Sequence, residues 1–159
     1  IVMGINMGMQ PIAGYNYGAK QMDRVNKVLK YTIFLASGVV IIGFVVCQLF
    51  PHAVASMFTS DETLINLAAQ GLKVVFIFFP IVGFQMVTGN FFQSIGMAKK
   101  AILMSLTRQI LFLLPGLLIL PHFFGVMGIW YSMPTADILS SVVSAIFLIN
   151  KYRNSTIKN

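Results

Sequence analysis

The sequence predicts an all-α membrane protein, a polytopic bundle of about five transmembrane helices. Two observations carry this prediction. Hydrophobic residues make up 57% of the 159-residue chain and charged residues only 9%, whereas a typical soluble domain has roughly 25% charged residues. Long apolar stretches, each near the ~20 residues that cross a bilayer, alternate with short polar connections. The composition therefore excludes a disordered chain and a soluble enzyme domain, and the single cysteine, Cys47, excludes a disulfide scaffold.

The predicted spans follow one another along the whole chain. They cover residues 1–19, 31–50, 74–98, 101–120 and 125–150. Pro80 and Pro115 predict kinks in the third and fourth spans, and Ser60 or Asp61 predicts a helix N-cap ahead of the third. Because the first span starts inside an apolar run at a residue other than Met, we expect the chain to be a piece of a longer protein.

The basic residues predict how the bundle is oriented. The first connection, the third connection and the tail hold nearly all of them: Lys20, Arg24, Lys27, Lys30, Lys99, Lys100, Lys151, Arg153 and Lys158. The second and fourth connections hold none, and Lys73 near the outer end of the third span is the exception. Because alternate connections share a face, the positive-inside rule predicts that this face is cytoplasmic. The net charge of +7 is thus assigned to a membrane surface and not to nucleic acid.

Asp137 is the sharpest candidate for chemistry. It lies about 18 Å into the last span at roughly 1.5 Å per residue, near the middle of the bilayer. A carboxylate there costs several kcal/mol unless it faces a partner or a water-filled cavity. Pro134 frees the carbonyl of Trp130, which together with Asp137 could hold a proton or a small cation. The alternative is a structural carboxylate, hydrogen-bonded to a neighbouring helix or paired with Arg108.

Arg108 and a polar stripe on the third span are the other candidates. Arg108 either snorkels to the interface or a lipid headgroup, or pairs with Asp137 in a gate. Gln85, Asn90 and Gln93, with Thr88 on the same side, line either a substrate cavity or a polar contact between helices. A minority of the fourteen Phe and ten Met residues could bind flat cationic amphiphiles there.

Small residues in the first span predict close helix packing. They form two small-xxx-small pairs: Gly4 with Gly8, and Gly14 with Gly18. Enzymatic chemistry has no support, since the sequence contains neither a phosphate-binding loop nor a nucleophile–base set. His52 and His122 lack a third ligand, so we expect no metal site and no organic cofactor.

The segment 8–20, Gly-Met-Gln-Pro-Ile-Ala-Gly-Tyr-Asn-Tyr-Gly-Ala-Lys, followed by Arg24 and Val25, resembles the end of the eighth helix and the next loop in the multidrug and toxic compound extrusion (MATE) family. The motif residues are Gln10, Pro11, Gly14, Tyr15, Asn16 and Gly18. Segments 92–99 and 105–109 resemble the end of the family's tenth helix and the start of its eleventh. Residues 128–130, with Pro134 and Asp137, resemble the twelfth.

The resemblance implies a fold and an activity. The family has twelve helices in two lobes around a central cavity, and it exports organic, often cationic, compounds in exchange for protons or sodium. Residues 1–150 would form a partial C-terminal lobe, from the eighth helix to the twelfth, and residues 151–159 a basic cytoplasmic tail. The implied partners are membrane lipid, small organic cations and the missing N-terminal lobe. The implied location is the bacterial plasma membrane.

Within that lobe we expect the substrate and cation pathway to be lined by Gln85, Asn90, Gln93, Arg108 and Asp137. The acidic ligand that some members carry in the tenth helix has no counterpart in residues 74–98, which argues against sodium at that position. Two alternatives stay open: a lipid-linked oligosaccharide flippase of the same superfamily, and a membrane assembly subunit without transport activity.

Overall fold

The structure, a computed structural model, describes residues 1–156. Lys158, one of the predicted tail cations, lies outside the described residues. The described chain is almost entirely helical: α1 Val2–Gly18, α2 Met22–Leu49, α3 Pro51–Ser56, α4 Glu62–Val75, α5 Phe79–Ser94, α6 Ala98–Leu106, a π-helical segment Thr107–Leu113, α7 Leu114–Phe124 and α8 Val126–Thr156.

Apolar helices long enough to cross a membrane are present, as the sequence predicts. They are α2, the continuous unit of α6, the π-helical segment and α7, and α8. A fourth span forms if α4 and α5, which meet at a bend of 58°, are taken together. With its 17 residues, α1 lies at the short end of the usual range for a span. The prediction of an all-α membrane bundle is confirmed.

The third predicted span differs from the observed helices at its start. A helix already begins at Glu62, well before residue 74, because Asp61 caps it by accepting hydrogen bonds from the backbone N–H groups of Thr63 and Leu64 at 2.8 and 3.2 Å. The chain then bends at 76–78, directly ahead of Pro80 in the first turn of α5. Proline lacks an N–H and clashes with the carbonyl four residues earlier, so the kink predicted at Pro80 is confirmed.

The fourth predicted span contains a stretch of wider winding. Residues Thr107–Leu113 are π-helical, and Pro115 follows in the first turn of α7. Hydrogen bonds in this winding run from i to i+5, and such segments are rare and frequently occur at functional sites. The observed change of winding lies on the N-terminal side of Pro115, in the segment that carries Arg108, and the kink predicted at Pro115 itself stays a prediction.

Helices α1 and α5 run parallel and in contact. Gln10 bonds to Asn90, and one turn later a Cβ added at Gly14 would lie 3.0 Å from the carbonyl oxygen of Ser94. The predicted close packing of small residues therefore holds at Gly14. At Gly4, Gly8 and Gly18, an added Cβ would meet nothing within 4 Å in the described part of the chain. The core lies between α1, α2 and α5, and its largest members are Leu29, Phe91 and Phe92.

The start of α6 and the end of α8 meet at one end of the bundle. The Nζ atom of Lys100 lies 5.6 Å from the ring centroid of Phe92, and that of Lys151 lies 4.4 Å from the centroid of Phe91. At the opposite end, Gln48 donates to the carbonyl of Lys73 at 2.9 Å. The third connection and the tail thus share a face, as the alternation of charge predicts. Because α8 extends to Thr156, the first residues of the predicted tail continue the helix.

Candidate functional site

A cavity of about 430 Å³ lies between α5, α6 and the π-helical segment. Most of its wall is apolar, with Met86 and Met104 among the lining residues. The polar side chains on the wall are those of Gln85, Asn90, Gln93, Ser105 and Arg108. We call this space the polar cavity, and it collects four of the five residues predicted to line the pathway.

Asp137, the fifth predicted residue, does not line the cavity but contacts Arg108, which does. The Nη2 atom of Arg108 lies 2.7 Å from Oδ1 of Asp137, and Nε donates to the same oxygen at 2.8 Å. The arginine side chain is 37% exposed and the aspartate side chain only 6%. Arg108, on the π-helical segment, therefore reaches α8 and neutralises the buried carboxylate.

For Arg108 the geometry shows the pairing with Asp137, while a role of this pair as a gate stays a prediction. The guanidinium pairs with Asp137 and does not reach back toward the helix end to snorkel. For Asp137, the pairing with Arg108 is the observed arrangement. That Asp137 and the freed carbonyl of Trp130 hold a proton or cation stays a prediction.

A chain of hydrogen bonds joins Gln85 on α5 to the backbone beside Asp137. The Nε2 atom of Gln85 donates to Oγ of Ser140 at 2.7 Å, and that hydroxyl donates to the backbone carbonyl of Asp137 at 3.2 Å. Ser141 donates to the same carbonyl. The Oε1 atom of Gln85 is buried and has no hydrogen-bond partner among residues 1–156. Gln85 thus fixes α5 against α8 while leaving one acceptor unsatisfied.

The rest of the polar stripe divides between the cavity and the core. Asn90 accepts a hydrogen bond from Gln10 on α1 at 3.2 Å, and Gln93 is exposed on the cavity wall. Thr88 is fully buried, donates to the carbonyl of Phe84 at 2.7 Å and is not among the residues that line the cavity. For Gln85 and Asn90 both alternatives apply, because each lines the cavity and also bonds to a neighbouring helix.

The motif at the end of α1 is mainly structural. Gln10 donates a hydrogen bond to the cavity residue Asn90, and the absence of a side chain at Gly14 lets the backbone of α5 pack closely. Asn16 is buried and secures the turn after α1, since its Nδ2 donates to the carbonyl of Ile12 and its own carbonyl accepts from Gln21 at 2.9 Å. The remaining motif residues are exposed: Pro11, Tyr15 and Gly18.

Two features went unpredicted from the sequence. The first is a seam of buried small residues at every fourth position of α8: Ser132, Ala136, Ser140 and Ser144. The small-xxx-small spacing that marked α1 is the signal that could have revealed it.

The second is a cavity of about 710 Å³ between α3, α4 and α8, which we call the apolar cavity. Its lining includes Phe58, Leu67, Phe76, Trp130 and Met133. The ring of Trp130 lies so close to Gly71 that an added Cβ there would be 3.0 Å from its Cε2 atom. Within residues 1–156, no group of three His, Cys, Asp or Glu side chains is placed so that it could hold a metal ion.

Comparison of the sequence with known families and proteins gives one consistent answer. The profile of the MatE family matches residues 1–119. The chain is 25% identical over 152 residues to the multidrug export protein MepA of Staphylococcus aureus, covering 93% of this chain and 32% of that protein. It is 23% identical over 154 residues to MepA of Staphylococcus haemolyticus, covering 97% of this chain and 33% of the relative.

Solved structures agree in fold. The MATE multidrug transporter DinF-BH, solved as a complex with a ligand, superposes with a TM-score of 0.87 at 40% identity, covering 94% of this chain and 33% of that one. The Vibrio cholerae MATE transporter VcmN in its bent form gives a TM-score of 0.87 at 20% identity, covering 98% and 36%. This chain therefore spans about a third of the length of the proteins that it resembles.

Proposed function

This chain belongs to the MatE family of multidrug efflux transporters, and we propose that it is part of the second lobe of an exporter of organic, often cationic, compounds, coupled to protons or sodium. The observation that carries the proposal is the polar cavity itself. Amide side chains and an ion pair meet there on helices that are largely apolar. Polar groups at such positions are expensive in a membrane and mark a pathway by default.

Each wall residue has a proposed role. Gln85, Asn90 and Gln93 offer amide donors and acceptors to polar groups of the substrate. Met86 and Met104 supply flexible, polarizable surface that adapts to flat rings of different shape. Asp137 acts through Arg108, which it holds in place and neutralises. Because this wall combines methionines with amides, an aromatic dye with polar substituents is the first substrate to test.

The proposed setting is the bacterial plasma membrane, with the C-terminus in the cytoplasm. The meeting of Lys100 and Lys151 at one end of the bundle, together with the positive-inside rule, supports this orientation. The proposed partners are membrane lipid, small organic cations and an N-terminal lobe that completes the cavity. The basic residues have a role at the membrane surface, so no nucleic acid is proposed.

The two alternatives are less well supported. A flippase for lipid-linked oligosaccharides would have a larger and more basic cavity. Here Arg108 is the single charged residue on the described wall of the polar cavity, and Asp137 neutralises it. An assembly subunit would have no use for Gln93, an exposed amide on a cavity wall that makes no hydrogen bond within the described chain.

The test is export of a cationic xanthene dye from cells that make the full-length transporter containing this chain. Export should stop when a protonophore collapses the proton gradient, or when sodium is removed, and the two treatments distinguish the coupling ion. Export that continues under both treatments together would refute ion coupling.

A matched pair of variants tests the site. Gln93→Leu should raise the Kd for the dye about threefold to tenfold, the effect of one lost hydrogen bond, without changing the amount of folded protein. Gln70→Leu makes the same change at an exposed position of α4 outside the cavity and should leave the Kd unchanged. Equal effects of the two variants on the Kd would refute the proposal that the dye binds in the polar cavity.

A further inference from the structure

Arg108 uses only part of its hydrogen-bonding capacity on Asp137. A guanidinium carries five N–H donors. The two contacts of the guanidinium, from Nε and Nη2, both end on Oδ1 of Asp137, and the side chain of Arg108 makes no other hydrogen bond within residues 1–156. The edge formed by Nη1 and the second N–H of Nη2 therefore stays available, on a side chain that is 37% exposed.

The ion pair is neutral overall but oriented. Arg108 lines the polar cavity, whereas the carboxylate of Asp137 is 6% exposed and is not part of the wall. A ligand in the cavity consequently meets the positive member first and the negative member behind it. In surroundings of low dielectric this order favours a negative group over a positive one at the wall.

The groups around Arg108 suit the remainder of such a ligand. The other polar side chains on the wall are neutral amides and a serine, and most of the wall is apolar. An aromatic body can pack against the methionines while an oxyanion reaches the free guanidinium edge, which matches a carboxylate with two parallel hydrogen bonds.

We propose that Arg108 forms an oxyanion subsite of the polar cavity, which receives the carboxylate of zwitterionic aromatic substrates and is held in position by Asp137. This inference rests on the proposed function and adds the charge class of ligand. A lipid phosphate has the same chemistry, so the test must separate the two sources. Asp137 is a positioning residue in this arrangement, because it acts on the ligand only through Arg108.

The experiment measures binding of two dyes to the purified full-length transporter in phosphatidylcholine vesicles, where no lipid is anionic. One dye is a xanthene with a free carboxylate, and the other is its methyl ester. Asp137→Asn keeps the shape of the side chain and removes the charge that competes for Arg108. This variant should tighten binding of the carboxylate dye about threefold to tenfold and leave the ester unchanged.

The double variant Asp137→Asn with Arg108→Gln should then weaken binding of the carboxylate dye by about tenfold or more relative to Asp137→Asn alone, the size expected for a lost charge-assisted hydrogen bond. Binding of the ester serves in each variant as the check on folding. Lys73→Gln removes one positive charge outside the cavity and should change neither dye.

Three results would overturn the inference. In the first, Asp137→Asn weakens the binding of both dyes equally, which is the result expected if the ion pair is purely structural. In the second, the wild-type protein binds the ester but not the free carboxylate. In the third, phosphatidylglycerol displaces the carboxylate dye from the wild-type protein at low mole fraction, which assigns the site to a headgroup. If both dyes bind but cells export neither, the proposed function fails while the response to Asp137→Asn still judges the subsite.

Discussion

The two cavities of this helical bundle are built in opposite ways. The polar cavity is shaped by directional contacts: the ion pair of Arg108 with Asp137 and the hydrogen bond of Gln85 to Ser140. The apolar cavity, of about 710 Å³ against about 430 Å³, is shaped by the fit of the Trp130 ring against Gly71. α8 lines the apolar cavity with Trp130, and about two turns later its Asp137 pairs with Arg108 on the wall of the polar cavity.

The difference teaches which changes each region tolerates. A polar contact is lost when its charge or donor is removed, even if the volume is kept. A close apolar contact is lost when volume is added, whatever the charge. We therefore expect substitutions that add a methyl group to lower the unfolding free energy at the apolar end of α8. Substitutions that remove a charge should lower it at the polar end.

The largest effect is expected for Gly128→Ala at the start of α8. Its added Cβ would overlap the backbone of Leu120 and Pro121, and backbone atoms cannot rotate aside, so the turn between α7 and α8 must open. We expect a loss of about 3 kcal/mol in unfolding free energy, the upper end for overpacking. The measurement is the unfolding midpoint of the full-length transporter in detergent. Gly43→Ala, which meets nothing within 4 Å, is the control, and an equal loss there would contradict the argument.

The next effect is expected for Arg108→Met. It leaves the carboxylate of Asp137 buried without a counter-charge, which costs about 2 kcal/mol, less than for a fully buried pair because Arg108 is partly exposed. The second change Asp137→Leu should recover most of the loss, since two apolar side chains need no partner. The measurement is again the unfolding midpoint of the full-length transporter in detergent. If the double variant is as unstable as Arg108→Met alone, the unpaired charge is not the cause of the loss in stability.

The smallest effect is expected for Gly71→Ala in the apolar cavity. The new methyl group would lie 3.0 Å from Cε2 and 3.2 Å from Cζ2 of Trp130, but a side-chain ring can tilt. We expect a loss of about 1 kcal/mol, unaffected by salt because no charge takes part. Gly116→Ala, whose Cβ would meet Ser132 at an ordinary 3.4 Å, should be neutral. A larger loss at Gly71 than at Gly128 would reverse the proposed order.

The parts of this structure that the sequence predicted are those governed by local chemistry. Uninterrupted apolar runs predicted the helices, Pro80 predicted the bend between α4 and α5, and Asp61 was one of two predicted caps. Asp137 and Arg108 stood out because charged residues are costly inside apolar helices. Each of these signals is contained within a few neighbouring residues.

The parts that the sequence did not predict depend on contacts between distant segments. Whether Arg108 snorkels or pairs depends on the position of Asp137 on α8, a distant segment of the chain that no local residue pattern places beside it. Thr88 lies on the predicted face, yet it is fully buried in the packed bundle and bonds to its own helix. The apolar cavity arises where α3, α4 and α8 meet, and no single segment encodes it.

The ion pair also has an electrical consequence. Arg108 and Asp137 form an ion pair inside two long apolar helical units, Ala98–Phe124 and Val126–Lys151. Moving one elementary charge through a potential of 100 mV is worth about 2.3 kcal/mol. Because these two charges cancel and sit 2.7 Å apart, tilting this lobe in an energised membrane performs almost no electrical work. In the proposed exporter, any voltage dependence of this motion is then expected to come from the charge of the substrate or of the coupling ion.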